Sequence, residues 1–471
     1  MILPTMLLLS WLGRASLRRA TPRRYLSSTR ITYLTDVEGD RDYLERWIER
    51  SRCVDWKNGR MEFRHNDTSL VFGGDVCDQG GSDLWVLRTL LEFKQRNPDK
   101  VHFVLGNRDI NKMRIQSELT VEEHPGVVWN RPEEGVSRDL VERLKWILSG
   151  TMGSPRAFGH RQWEIGTDVE ENVVESYREA CHPEGEMGQY LRQAKLCLRL
   201  GKVLFVHGSL PWVDGRSEWD WRHAMPWLEP GEDTQVDTLD DWIEALNQFS
   251  EACIQNWVDQ PIQLPLWSDR MGYEGHTYGS LIQYGMGMTP DRKKNPTIVY
   301  SSWSNDGMPR RFFDDSSDFC RFTRSFLERT GVQVICSGHQ PQGDMPNVIR
   351  VGDLGWIWSC DTSYSGDTHW VDRENPGREG ARSGRGPNAV SEVIFELDEE
   401  DNVVQSYCHG VLSDGTEYET KPLGSESKLP VGQLAPHSTP VDPWWVRAAF
   451  TDGTHLLSQG SGFDAWNRIV V

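Results

Sequence analysis

The sequence predicts an α/β fold built on a mainly parallel sheet, and two features carry that expectation. Five short apolar runs, most of them rich in β-branched residues, each stop at a polar turn that is often marked by glycine. Between the first three lie stretches whose apolar residues recur with helical period. Strand–helix–strand order calls for right-handed crossovers, which set consecutive strands parallel. In such a sheet, polar residues gathered at the carboxyl ends of the strands mark where a site forms.

ITYLT (31–35) is the first strand and runs into DVEGD. RDYLERWIERS follows as a helix, because Tyr43, Leu44, Trp47 and Ile48 fall at i, i+1, i+4 and i+5 on one face. SLVF (69–72) runs into GGDVCDQG, SDLWVLRTLLEFKQR is the next helix, and KVHFVL (100–105) ends at GNRD. KVLFV (202–206) precedes HGSLP, and VQVICS (332–337) precedes GHQP. The intervals of about 111–200 and 213–300 are largely helical in character and are expected as insertions above the sheet. A Gly/Arg loop spans 377–388, and SEVIFELDEEDNVVQSYCHG then gives strand, turn and strand. The expected division is a targeting segment at 1–30, a main domain at 31–412, and a linker with a C-terminal β-hairpin extension at 413–471. The hairpin is signalled by Asp452-Gly453 between apolar runs.

Composition narrows the function classes. With 37% hydrophobic residues and 21 tryptophans in 471 residues, most of the chain has enough apolar surface to fold. A formal charge of −19 argues against nucleic acid or an anionic membrane as the main partner. It leaves phosphate esters open, since bound cations reverse the sign locally. Nine scattered cysteines form no CxxC, which fits reduced thiols better than a disulfide framework. No stretch after the first thirty residues reaches the roughly 18 apolar residues of a membrane span. Those first thirty hold Arg14, Arg18, Arg19, Arg23, Arg24 and Arg30, with no acidic residue before Asp36. That is transit-peptide composition, and the expected destination is the mitochondrion, with a plastid or secretory route as the alternative.

Each strand end carries chemistry-bearing residues, in order Asp36-x-Glu38, Gly74-Asp75-x-x-Asp78, Gly106-Asn107, His207-Gly208 and Gly338-His339. Singly these are common turns; the ordered set resembles the calcineurin-like metallophosphoesterase superfamily, whose pattern runs D-x-H, G-D-x-x-D, G-N-H-[D/E], H, G-H. The resemblance covers residues 31–341. It implies a metallophosphoesterase-type sandwich of two central sheets flanked by helices, here with helical insertions. It also implies a dinuclear site, with two divalent ions roughly 3.5–4 Å apart sharing a bridging hydroxide that attacks phosphorus. Carried over residue by residue, Asp75 would bridge the ions. Asp36 and Glu38 would hold the first, and Asn107, His207 and His339 the second, with Asn107 also approaching a phosphoryl oxygen.

Three departures qualify the resemblance. Glu38 stands where the family has histidine; as a metal ligand, its oxygen shifts preference toward Mn or Mg and away from Zn or Fe. Alternatively it pairs with a nearby arginine. Arg108 stands where the family has its general-acid histidine, although Asp78 keeps the orienting place. A guanidinium does not release its proton near neutrality, but it presents fixed donors to an anionic oxygen. It stabilises phosphate and leaving-group charge, or braces the loop against Asp78, or does both. Gln79-Gly80 replaces the Arg-Gly of Ser/Thr phosphatases, so the grip on phosphate is either absent or moved to Arg108, or to Arg310 or Arg311. His276 is a candidate substitute acid, and Asp361 either nears the metals or forms an Asx turn. The expected function is metal-dependent hydrolysis of phosphoric esters or anhydrides, on a phosphorylated small molecule rather than a phosphoprotein. The alternative is a weak or inactive pseudophosphatase that binds a phosphorylated ligand or protein.

Overall fold

Ile31 and Tyr33 face one core while Thr32 and Leu34 face the other way, so β1 (Arg30–Leu34) is a wall buried on both sides. The computed structural model describes residues 29–120, 137, 139–221, 236–262, 277–287, 296–304, 308–363, 388–439, 441–460 and 466–471. The first 28 residues, nearly all of the Gly/Arg loop and His276 lie outside these.

After β1 comes α1 (Arg41–Arg50), whose N-cap Asp40 accepts the amide of Tyr43 and whose buried residues are Tyr43, Leu44, Trp47 and Ile48. The hairpin of β2 (Val54–Lys57) and β3 (Arg60–Phe63) precedes β4 (Thr68–Phe72). Next are α2 (Asp83–Arg96), with Asp83 in its first turn and Lys94 and Arg96 in its last, then β5 (Val101–Val104) and the short α3 (Asn107–Asn111). Among the described residues, five further α-helices between Ile115 and Leu191 form the first insertion. It ends sooner than the sequence suggests, because β6 (Ala194–Lys195) and β7 (Cys197–Leu200) already belong to the sheets. After β8 (Val203–Val206) the second insertion contributes the helices Leu239–Asp259 and Tyr278–Gly285. The remaining strands are β9 (Val334–Ser337), β10 (Asn347–Val351), β11 (Gly355–Ser359), β12 (Val390–Leu397), β13 (Val403–Val411), β14 (Glu417–Glu419), β15 (Trp445–Ala449), β16 (His455–Gly460) and β17 (Trp466–Val470).

Two sheets dominate, in the orders β14-β13-β12-β1-β4-β5-β6 and β10-β11-β9-β8-β7. Their centres, β1-β4-β5-β6 and β11-β9-β8, are parallel, while antiparallel strands extend the edges. The sheets pack face to face through Ile31, Tyr33, Val71 and Val104 on one side and Val203, Phe205, Val334 and Cys336 on the other. Tyr33 stacks on Phe205 with ring centroids 5.7 Å apart, and Phe395 meets Phe205 edge-on at 5.9 Å. Such ring pairs add about 0.5–1.5 kcal/mol beyond their buried area. The result is the mixed α/β sandwich of the metallophosphoesterase type.

Asp452-Gly453 turns β15 into β16, as the sequence marks, but β17 adds a third strand to that hairpin. Trp445 ties this sheet to the body, its indole N–H donating to the Val348 carbonyl at 2.7 Å. All nine cysteines are free and buried. Among the described residues no helix is long and apolar enough to cross a membrane.

Candidate active site

Parallel strands deliver their carboxyl ends to one rim, and the five motifs meet there. Asp109, the last residue of GNRD, locks two of the loops together. Its carboxylate accepts the amides of Asp75 (3.0 Å), Val76 (2.9 Å) and Gly106 (2.8 Å), and Tyr190 from the first insertion donates to it at 3.3 Å. The loops press so closely that a Cβ on Gly106 would overlap the Asp75 carboxylate, and one on Gly338 would overlap that of Asp36. Asp36, Glu38, Asp75, Asp78 and His339 all hold left-handed backbone, with φ from 49° to 111°. Among the described residues only Asn58 and Asp401 are other non-glycine cases. Each such residue costs about 1–2 kcal/mol, so the surrounding hydrogen bonds must hold the rim in place.

One half of the rim is assembled as a ligand pocket. Ligand atoms of Asp75, His207 and His339 all lie within 4.8 Å of one another. The Asn107 amide oxygen joins them, 3.2 Å from His207 Nε2 and 2.9 Å from His339 Nδ1. His207 Nδ1 donates to the Gly73 carbonyl at 2.8 Å, which leaves Nε2 aimed inward toward Asp75 Oδ1 at 3.4 Å. Two imidazoles, an amide oxygen and a carboxylate are a sound donor set for a divalent transition ion, and these residues fit one.

Electrostatics in this pocket favour a cation. Burial opposes charge on His207, but Asp75, Asp36 and the Gly73 carbonyl outweigh it and raise its pKa to about 10. Burial and then its charged neighbour His207 lower His339 to about 3. Asp75 is held below the usual carboxylate range, because His207, Arg108 and His339 together overcome its desolvation. A proton and a metal ion compete for the same His207 lone pair.

The other half is arranged differently. Glu38 is buried, and its carboxylate meets the Arg108 guanidinium, Nε to Oε1 at 2.9 Å. The same Nε lies 3.6 Å from Asp75 Oδ2, and Nη1 lies 3.6 Å from Asp78. Nη1 also donates to Ser154 Oγ at 2.9 Å and to the Met152 carbonyl at 3.2 Å, so the first insertion helps to fix the arginine. Asp36 accepts the hydroxyl of Thr35 at 2.5 Å and the amide of His339 at 3.1 Å. Burial, and next the neighbouring Asp361, push Asp36 well above the usual carboxylate range. Asp361 does form the Asx turn, accepting the Ser363 amide at 2.7 Å. A guanidinium thus already lies among the oxygens of Glu38 and the outer edge of Asp75, where the resemblance puts a second ion.

Lys112 is the residue that sequence reasoning missed. It lies one turn beyond Arg108, is buried, and sets its ammonium 2.7 Å from Asp78. The i, i+4 spacing from Arg108 was visible, but its partner lies 34 residues back. Removing one member of a buried pair costs about 3–5 kcal/mol. Lys112→Met should therefore lower the urea midpoint by a corresponding margin. An unchanged midpoint would show that Arg108 alone satisfies Asp78.

Arg310 has an aromatic neighbour of its own. It is exposed on the turn Arg310–Phe312, 5.9 Å over the ring of Phe313, which itself stacks on Trp445 of the C-terminal sheet. Arg311 lies over Trp212 and Phe319.

Comparisons with known proteins bear on the same region. The profile of the calcineurin-like phosphoesterase family matches residues 29–343. No curated protein matches the chain in sequence. Among solved structures, a cold-active protein-tyrosine phosphatase of a psychrophilic Shewanella species is 14% identical over 83% of this chain and 80% of its own, with a TM-score of 0.40. A protein serine/threonine phosphatase from Saccharomyces cerevisiae is 12% identical over 81% of each chain, with a TM-score of 0.34. A metallophosphoesterase from Sphaerobacter thermophilus is 12% identical over 79% of this chain and 85% of its own, with a TM-score of 0.30. These structural likenesses are faint and carry no weight beside the profile. The matched segment begins at the edge of β1 and ends just beyond His339, so it contains every residue of the rim; this chain belongs to the calcineurin-like phosphoesterase family and is, with it, a metal-dependent phosphoesterase.

Proposed function

We propose that the chain hydrolyses phosphoric monoesters or anhydrides whose leaving groups need little protonation. The observation that supports this reading is the Arg108 guanidinium fixed beside the Asp75, Asn107, His207 and His339 pocket. An ion held there would supply a Lewis acid, which acidifies water and offsets phosphoryl charge. Arg108 contributes planar donors for phosphoryl or leaving oxygens, and Asn107 contributes a second polar contact. Asp78 anchors the positive cluster through Lys112 rather than orienting a proton donor.

The donor set also refines the metal. The case for Mg rested on Glu38, which Arg108 engages; the pocket of two nitrogens and two oxygens suits Mn better. Helical insertions over the rim favour a phosphorylated small molecule over a folded phosphoprotein. A panel of aryl phosphates, alkyl phosphates, diesters and anhydrides, assayed with Mn and again after chelation, tests the reading. Turnover should require Mn and favour aryl phosphates and anhydrides. Bound Mn without turnover on any of them would move the reading to a pseudophosphatase.

We also propose that residues 1–30 deliver the chain to mitochondria. Fused to a fluorescent protein, they should co-localise with a mitochondrial dye; plastid or secretory fluorescence would overturn this.

A further inference from the structure

The two halves of the rim differ in what they can accept. On one side four donors of mixed type converge. On the other, Glu38 and the outer oxygen of Asp75 face a cation that belongs to the chain. That cation is permanent, because a guanidinium does not lose its proton in proteins.

It is also held in place. The Arg108 backbone amide donates to Asp75 Oδ1 at 2.9 Å, and Ser154 and Met152 take Nη1 from the far side. Nor is the guanidinium needed to neutralise Asp78, since Lys112 is closer to that carboxylate, at 2.7 Å against 3.6 Å. Its charge is therefore directed at Glu38 and Asp75. Asp36, a further carboxylate of that half with Asp361 beside it, accepts the His339 amide and the Thr35 hydroxyl, which braces the loop that presents His339. A divalent ion entering this half would have to approach the same oxygens as the guanidinium, against the repulsion of a like charge.

We infer that this chain holds one divalent ion, on Asp75, Asn107, His207 and His339, and that the Arg108 guanidinium is the second cation of the site. A phosphate would then lie between one exchangeable and one built-in positive charge. The inference rests on the metal-dependent reading above and replaces its expected pair of ions with one.

Counting the metal tests it. The full chain is loaded with Mn, desalted and measured by elemental mass spectrometry, with an electron paramagnetic resonance spectrum of the same sample. One Mn per chain, with the spectrum of an isolated ion, is expected. Arg108→Met should take up a second Mn and show exchange coupling, because it frees Glu38 and Asp75. His339→Ala should lose the single wild-type ion. Two coupled Mn ions in the wild type would overturn the inference and leave the metal-dependent reading standing. A folded Arg108→Met that still binds one, or a single ion that survives His339→Ala, would also overturn it. No Mn retained, with no thermal shift on adding it, would overturn the metal-dependent reading itself. The wild-type count decides even where a variant fails to fold.

Discussion

Asp75→Asn is expected to lower kcat/KM by at least about a thousandfold while leaving the fold intact, because the position supplies the pocket's one carboxylate and its negative charge. Asparagine keeps the shape and one oxygen. The amides of Asp75 and Val76 are held by Asp109, so the loop does not depend on the Asp75 side chain for its position. What is lost is the charge that opposes His207 at 3.4 Å and draws the guanidinium of Arg108 to 3.6 Å. The variant should therefore retain its circular dichroism spectrum, lose part of its urea midpoint with the buried charge pairs, and fail to retain Mn. Unchanged turnover in Asp75→Asn would remove Asp75 from the centre of the site.

The second large effect concerns the leaving group. General acid catalysis contributes about 10²–10⁴-fold, most where the departing oxygen is a strong base. Arg108 provides no proton, so the wild type should prefer an aryl over an alkyl phosphate by a factor in that range. Equal kcat/KM on the two would sink the idea. Arg108→Ala should then cost about 10²–10³-fold on the aryl ester, the scale of losing one fixed donor to developing negative charge. Arg108→His would not simply restore an acid. The carboxylate that would orient the imidazole, Asp78, is held by Lys112 at 2.7 Å.

The sheets and the rim were legible because both are local. A buried parallel strand is an unbroken apolar run, and the turn after it must carry the polar residues, so Asp75, Asn107, His207 and His339 could be read directly after their strands. What could not be read is set by contacts across the sequence. Glu38 had two partners open to it, and only the fold brings Arg108 within 2.9 Å, 70 positions along the chain. Lys112 looked like one more polar residue where an insertion begins. Ser154 and Met152 fix Arg108 from a segment with no motif of its own. The third strand of the C-terminal sheet escaped because its partner is set by register with β16 rather than by a turn signal.

The left-handed backbone of the rim ties its conformation to the side chains it carries. Five of the seven non-glycine residues with positive φ among those described are Asp36, Glu38, Asp75, Asp78 and His339. Glycine would adopt each conformation without the clash between Cβ and the following carbonyl, releasing about 1–2 kcal/mol per position. Each glycine would, however, also leave a buried partner behind: Arg108 for Glu38, Lys112 for Asp78 and His207 for Asp75. Four carboxylates and an imidazole thus hold strained backbone because the contacts of their own side chains repay it, so the shape of the rim and its charges stand or fall together.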